Sequence, residues 1–220
     1  MCIRDRKEDP ALKYASELGN MIGNTDYTFN ALKEELQKIG ATINFFSTGD
    51  YFGLNIKGFD KNFQKTITMA GDFLGTMKVR KEDEKKLKKL IQSSTLERKF
   101  EARDASIKGN ALREFALWGQ NSSFLTRATT NEVKKMDSDF LMERITNAMN
   151  HETTVFYTGT KEVSEVKSLV NKHLIIKNDL TPSSSPVVYD QKLNSENTVY
   201  FYNDKKAVQS QIHILIPGDS

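Results

Sequence analysis

The sequence predicts an α+β fold, an antiparallel sheet with helices packed mainly on one face, and three observations carry that prediction. Between residues 42 and 58 the apolar period is two: Ile43 and Phe45, then Phe52, Leu54 and Ile56, alternate with polar neighbours around the turn Thr48-Gly49-Asp50. On either side, apolar residues recur every three or four positions over stretches of ten residues or more. Composition allows a packed core, with 38% apolar and 28% charged residues in a chain of 220. No apolar run comes near the ~20 residues that a membrane helix needs.

The elements follow in order. Residues 10–22 read as a helix, with Leu12, Ala15, Leu18 and Ile22 on one face and Gly23 as its stop. Thr28 can cap a second helix over 29–39, where Phe29, Leu32, Leu36 and Ile39 share a face and Gly40 ends it. After the hairpin, Asp60 is expected to cap a helix striped by Phe63, Ile67, Ala70 and Leu74. Residues 81–100 read as a long charged helix with a narrow seam of Leu87, Leu90 and Ile91. Further helices are expected over 105–117 and 138–149, the latter turning Phe140, Leu141, Ile145 and Met149 inward. Residues 153–158 read as a strand closed by Gly159, followed by a short helix marked by Val163, Val166, Leu169 and Val170. The Ser-, Pro- and Asn-rich stretch 177–197 reads as a linker, and two strands, 198–202 and 211–216, are expected beyond it.

Several function classes are disfavoured by counting. A net charge of +3, from 32 basic and 29 acidic residues, is too balanced to argue for nucleic acid. The lysine-rich stretch 80–89 is diluted by Glu82, Asp83 and Glu84 and lacks aromatic residues to stack on bases, so it reads as a solvated helix face. The single cysteine, Cys2, excludes a disulfide framework and a cysteine-rich zinc site. His151, His173 and His213 are too scattered to suggest a local metal cluster, and Asn150-His151-Glu152 reads as a turn rather than a catalytic pair. Residues 1–6, Met-Cys-Ile-Arg-Asp-Arg, have no signal-peptide character. They resemble one reading frame of an adaptor used to prepare sequencing libraries, so they are read as non-native and the natural chain is expected to continue upstream of Lys7.

One constellation carries chemistry only through its surroundings. The helix segment Tyr14-Ala15-Ser16-Glu17-Leu18 precedes an amphipathic helix ending in Ile39-Gly40-Ala41, and then the run Thr42-Ile43-Asn44-Phe45-Phe46-Ser47-Thr48-Gly49-Asp50-Tyr51. This order resembles the insulinase/pitrilysin family of zinc metallopeptidases. Residues 54–63, the run Val155-Phe156-Tyr157-Thr158-Gly159, and Val208-Gln209-Ser210-Gln211-Ile212 after the linker continue the resemblance over most of 10–217. In that family the first helix carries H-x-x-E-H, an inverted zincin motif. Helical spacing sets its two histidines on one face to hold zinc, and its glutamate activates the metal-bound water.

Laid on that motif, the histidine positions fall at Tyr14 and Leu18, and only Glu17 matches. Leucine offers no ligand atom. The family's third ligand, a glutamate on a later helix, would fall near residues 95–97, where Glu97 alone does not make a site. The resemblance therefore implies a second, motif-degenerate half of a two-half zinc metallopeptidase, with no catalytic or metal residue of its own. Residues 7–174 would form its non-catalytic α+β domain, lacking the family's first strands, and 175–197 a linker. Residues 198–220 would then begin a further, similar domain. Such a half would enclose a peptide or unfolded polypeptide while an H-x-x-E-H-bearing half, on the same chain or a partner subunit, supplies the zinc. The alternative is a catalytically dead scaffold or assembly protein of the same fold. A periplasmic or extracytoplasmic location is what the resemblance favours.

Overall fold

The structure, a computed structural model, describes residues 2–4, 9–48, 51–174, 180–182, 191, 194, 196–206, 208 and 210–216. In chain order the elements are β1 (Cys2–Arg4), α1 (Leu12–Gly19), β2 (Gly23–Asn24), α2 (Phe29–Lys38), β3 (Thr42–Ser47), β4 (Tyr51–Lys57), α3 (Phe63–Gly75), β5 (Met77–Lys78), α4 (Lys81–Glu101), α5 (Ala105–Trp118), α6 (Ser123–Thr126), α7 (Thr130–Lys135), α8 (Ser138–Ala148) and α9 (Val163–His173). Helices and small antiparallel sheets make an α+β fold, as the sequence predicts. The chain divides into two compact units: Met1–Lys89 with Met136–Pro186, and Leu90–Lys135 with Val187–Ser220.

In the first unit the sheet order is β1-β4-β3. β3 and β4 pair antiparallel, with Phe45 opposite Leu54, Ile43 opposite Ile56 and Ser47 opposite Phe52. Opposed residues share a face, so one side of the hairpin collects Phe45, Phe52 and Leu54, all buried, with Ile43 and Ile56 half-covered. The other side carries Asn44, Tyr51 and Asn55, all exposed. Phe45 packs its ring 5.7 Å from Phe52 and 6.0 Å from Phe73 of α3, so the helices cover the apolar side. α1 approaches β3 so closely that a Cβ on Gly19 would lie 2.4 Å from the Phe45 ring.

α2 begins as expected, with the Thr28 hydroxyl accepting from the Ala31 N–H at 3.3 Å. It ends at Gly40, whose φ of 65° is a left-handed position suited to glycine. α8 turns Leu141 and Ile145 inward, while Phe140 and Met149 are only half-buried. α9 lies against α3, where a Cβ on Gly71 would meet the His173 carbonyl oxygen at 1.8 Å.

In the second unit Asp104 caps α5 by accepting from the Ser106 and Ile107 N–H groups. No residue of α5 is fully buried. Its contacts include ion pairs and an aromatic pair: Lys108 pairs with Asp204 at 2.6 Å, Arg127 with Glu101 at 2.7 Å, and Phe115 meets Tyr200 edge-on at 6.0 Å, while Ala128 and Val133 are buried.

Four expectations need correction. α1 stops at Gly19 instead of reaching Ile22, because residues 23–24 form β2 and pair with β5 across 77–78. Asp60 does not cap α3: a 3-10 turn, Asp60–Asn62, precedes that helix, and the Asp60 carboxylate accepts from side chains near residue 160. Residues 155–158 form no strand, and Val155 and Phe156 are exposed. Residues 198–202 and 211–216 are likewise neither strand nor helix, since no neighbouring strand pairs with them among the described residues. Most of the expected linker 177–197 lies outside the described residues.

Candidate functional site

α1 owes its shape to Leu12, Tyr14, Ala15 and Leu18, which bury one broad face, and to Lys13 and Glu17, which face water. The two positions that the resemblance aligns with zinc-binding histidines are therefore core positions. Tyr14 is 3% exposed and Leu18 is completely buried. Glu17 between them is exposed. Ser16 on the same helix donates its hydroxyl to the Lys13 carbonyl at 2.7 Å.

Zinc does not fit here. A zinc site needs about three nitrogen, sulfur or oxygen ligands converging on one point. Helical spacing instead directs an aliphatic chain and a phenol into a packed core, and the one carboxylate points to solvent. Among the described residues no group of three His, Cys, Asp or Glu side chains is placed to hold a metal ion.

The remaining sequence candidates are dispersed. Glu97 of α4 is exposed, and its neighbour Thr95 is buried with its hydroxyl donating to the Ile91 carbonyl. His151 lies 3.1 Å through Nδ1 from the Asn147 carbonyl, and a backbone bridge joins it to Thr181. His173 contacts the Thr68 hydroxyl at 3.2 Å. His213 is exposed in the second unit.

Two features escape sequence reasoning. The first is Asn20, just past α1. Its amide donates to the Phe45 carbonyl at 2.8 Å and accepts from the Phe45 N–H at 2.7 Å, closing the outer edge of β3 at that residue. The second is a cavity of about 330 Å³ between β4 and residues 153–158, walled by Leu54, Ile56, Phe63, Ile67, Val166 and Val170. Asp60 stands at this cavity and holds residues 157–160, accepting from the Tyr157 hydroxyl at 2.9 Å and from the Thr160 hydroxyl. Those bonds, Thr160 first and Tyr157 second, hold its carboxyl below the usual aspartate range. Both features join residues far apart in sequence, so periodicity carries no signal for them.

Solved structures with a similar fold include proteases and an inactive peptidase domain. The peptidase M16 inactive domain from Pseudomonas fluorescens aligns over 84% of this chain and 47% of its own, at 10% identity and a TM-score of 0.60. The first half of the periplasmic protease PqqL from Escherichia coli aligns over 88% and 43%, at 14% identity and a TM-score of 0.58. The ferredoxin protease FusC, solved in complex with Arabidopsis ferredoxin, aligns over 82% and 20%, at 11% identity and a TM-score of 0.64. This chain thus spans between a fifth and a half of their lengths. No family model and no curated protein matches the chain. The fold is that of M16-type peptidase domains, active and inactive.

Proposed function

We propose that this chain is part of the zinc-free half of a two-half metallopeptidase, serving to enclose an extended peptide while the other half supplies zinc and the activated water. The observation that carries this reading is α1 itself. Its Tyr14 and Leu18 are built into the core, so the helix gives hydrophobic packing where a catalytic half would give ligands. The fold shared with an inactive M16 domain and with a protease half supports the same reading. A peptide or unfolded polypeptide is the substrate class, and the H-x-x-E-H-bearing half is the partner. A location outside the cytoplasm accords with the description of PqqL as periplasmic; no helix among the described residues is long and apolar enough to cross a membrane.

The test is complementation. An H-x-x-E-H-bearing half is assayed on a quenched fluorescent peptide, with and without this chain in trans. The reading expects cleavage to rise on adding the chain, and the chelator-sensitive activity to vanish when the motif glutamate of that other half is replaced. An unchanged rate, with no binding between the two, would favour the scaffold role instead.

A further inference from the structure

Asn20 sits one residue past α1 and directs its carboxamide at the backbone of a different element. In the hairpin Phe45 lies opposite Leu54. The Thr48 N–H donates to the Tyr51 carbonyl at 2.8 Å, which makes those residues a hydrogen-bonded pair at the turn. Bonded and non-bonded pairs alternate in an antiparallel ladder. Counted back along the register, the Phe45–Leu54 pair is non-bonded, so the N–H and C=O of Phe45 point away from β4. Asn20 takes both: the Phe45 N–H donates to Oδ1 at 2.7 Å, and Nδ2 donates to the Phe45 carbonyl at 2.8 Å. Its partners fix the orientation of the amide, since an N–H only donates and a carbonyl only accepts. The same two bonds are what a residue of an added antiparallel strand would exchange with Phe45. A side chain stands where a strand would stand.

The rest of the contact is built for this. The backbone N–H of Asn20 closes α1 on the Ser16 carbonyl at 3.1 Å, so the side chain is not needed to end the helix. Gly19 lets that helix end lie against β3, because a Cβ there would come within 2.4 Å of the Phe45 ring, and a short side chain then reaches the strand. Both partners lie within described elements of the chain, and no strand can pair with Phe45 while the carboxamide is in place, whatever chain adjoins the sheet. We propose that Asn20 keeps an extended peptide from adding to β3, so that a peptide enclosed by this half is held through side chains and takes its backbone pairing elsewhere. The choice of an extended peptide rests on the enclosing role proposed above. Removing the carboxamide frees the N–H and C=O of Phe45 near the middle of β3 and turns a closed edge into an accepting one.

The experiment is fluorescence anisotropy with the full chain and a labelled peptide of alternating valine and threonine. Asn20 has a φ of −83°, outside the left-handed region, so Asn20→Ala is the principal variant. It should bind the peptide at least about tenfold more tightly than the parent, since two backbone hydrogen bonds become available. Methylating every backbone nitrogen of the peptide should abolish that gain. Amide exchange at Phe45 locates the event: slow in the parent, fast in Asn20→Ala, and slow again once the peptide is added. If circular dichroism shows that Asn20→Ala misfolds, Asn20→Ser replaces it, because one short hydroxyl cannot span both groups of Phe45. No gain over the parent, a gain that survives methylation, or a Phe45 amide that stays fast with peptide bound would each overturn the proposal. These measurements use this chain alone, so their outcome is separate from that of the complementation assay.

Discussion

In the β3–β4 hairpin, Phe45, Phe52 and Leu54 share one face of the pleat and are buried, while in residues 211–216 Ile212, Ile214 and Ile216 recur at the same period of two and stand in water. The pattern is shared, so the pattern alone does not make a sheet. What separates the two regions is a partner. The hairpin supplies its own second strand across a short turn and is covered by α1 and α3, as the Gly19–Phe45 and Phe45–Phe73 contacts show. The later segment has neither among the described residues, and a strand with unpaired backbone and uncovered apolar faces gains nothing over coil. The same contrast governs α1. Its amphipathic stripe is realised because a core lies against it, and that core takes up the two positions where a zinc-binding helix would carry histidines.

Substitutions can break or sharpen this contrast. The largest effect belongs to Phe52→Ala, which empties a site only 2% exposed; a loss of about 3–5 kcal/mol in denaturant unfolding is expected. A loss under ~1 kcal/mol would mean that the hairpin is as uncovered as 211–216. Next comes Gly19→Ala. In an open helix that change gains up to about 1 kcal/mol, but here the new methyl meets the Phe45 ring, and a loss of about 1–3 kcal/mol is expected instead. A gain would show that α1 stands off the sheet.

Asp60→Asn has a smaller effect with a distinct pH signature. The bonds from Thr160 and Tyr157 lower the carboxyl's pKa in the folded chain. Their contribution is therefore present above the ordinary aspartate pKa and is lost as pH falls through the lowered folded value. The thermal midpoint of Asp60→Asn should lie below the parent's at neutral pH and converge with it in strong acid. A difference independent of pH would assign the contact to shape and not to charge. The smallest effect is expected for Ile212→Ala. In dilute, monomeric solution its unfolding free energy should stay within about 0.5 kcal/mol of the parent's, and a larger loss would reveal a buried partner for that segment.

The features legible in the sequence are local ones. Thr28 and its bond to Ala31 span one helical turn, and the hairpin declares itself within sixteen residues by period and turn chemistry. The features that escaped are long-range. Asn20 reaches Phe45 across 25 residues, Asp60 reaches Tyr157 across 97, and β2 finds β5 more than fifty residues away. An aspartate before an amphipathic stripe has the signature of a helix cap, and only the fold shows that its oxygens are taken by hydroxyls from a distant loop. At the candidate site, the resemblance placed Tyr14, Glu17 and Leu18 at the motif positions, and the helical period already turned Leu18 inward. The edge-closing role of Asn20 and the cavity beside β4 required the fold.

The central claim is that α1 packs and does not ligate, and metal analysis of the purified, tag-free chain tests it most directly. Zinc is quantified after exhaustive dialysis, alongside cleavage of a quenched fluorescent peptide before and after a chelator. The account predicts no stoichiometric zinc and no cleavage by this chain alone. Near one equivalent of tightly held zinc, with chelator-sensitive cleavage that Glu17→Gln abolishes, would contradict it.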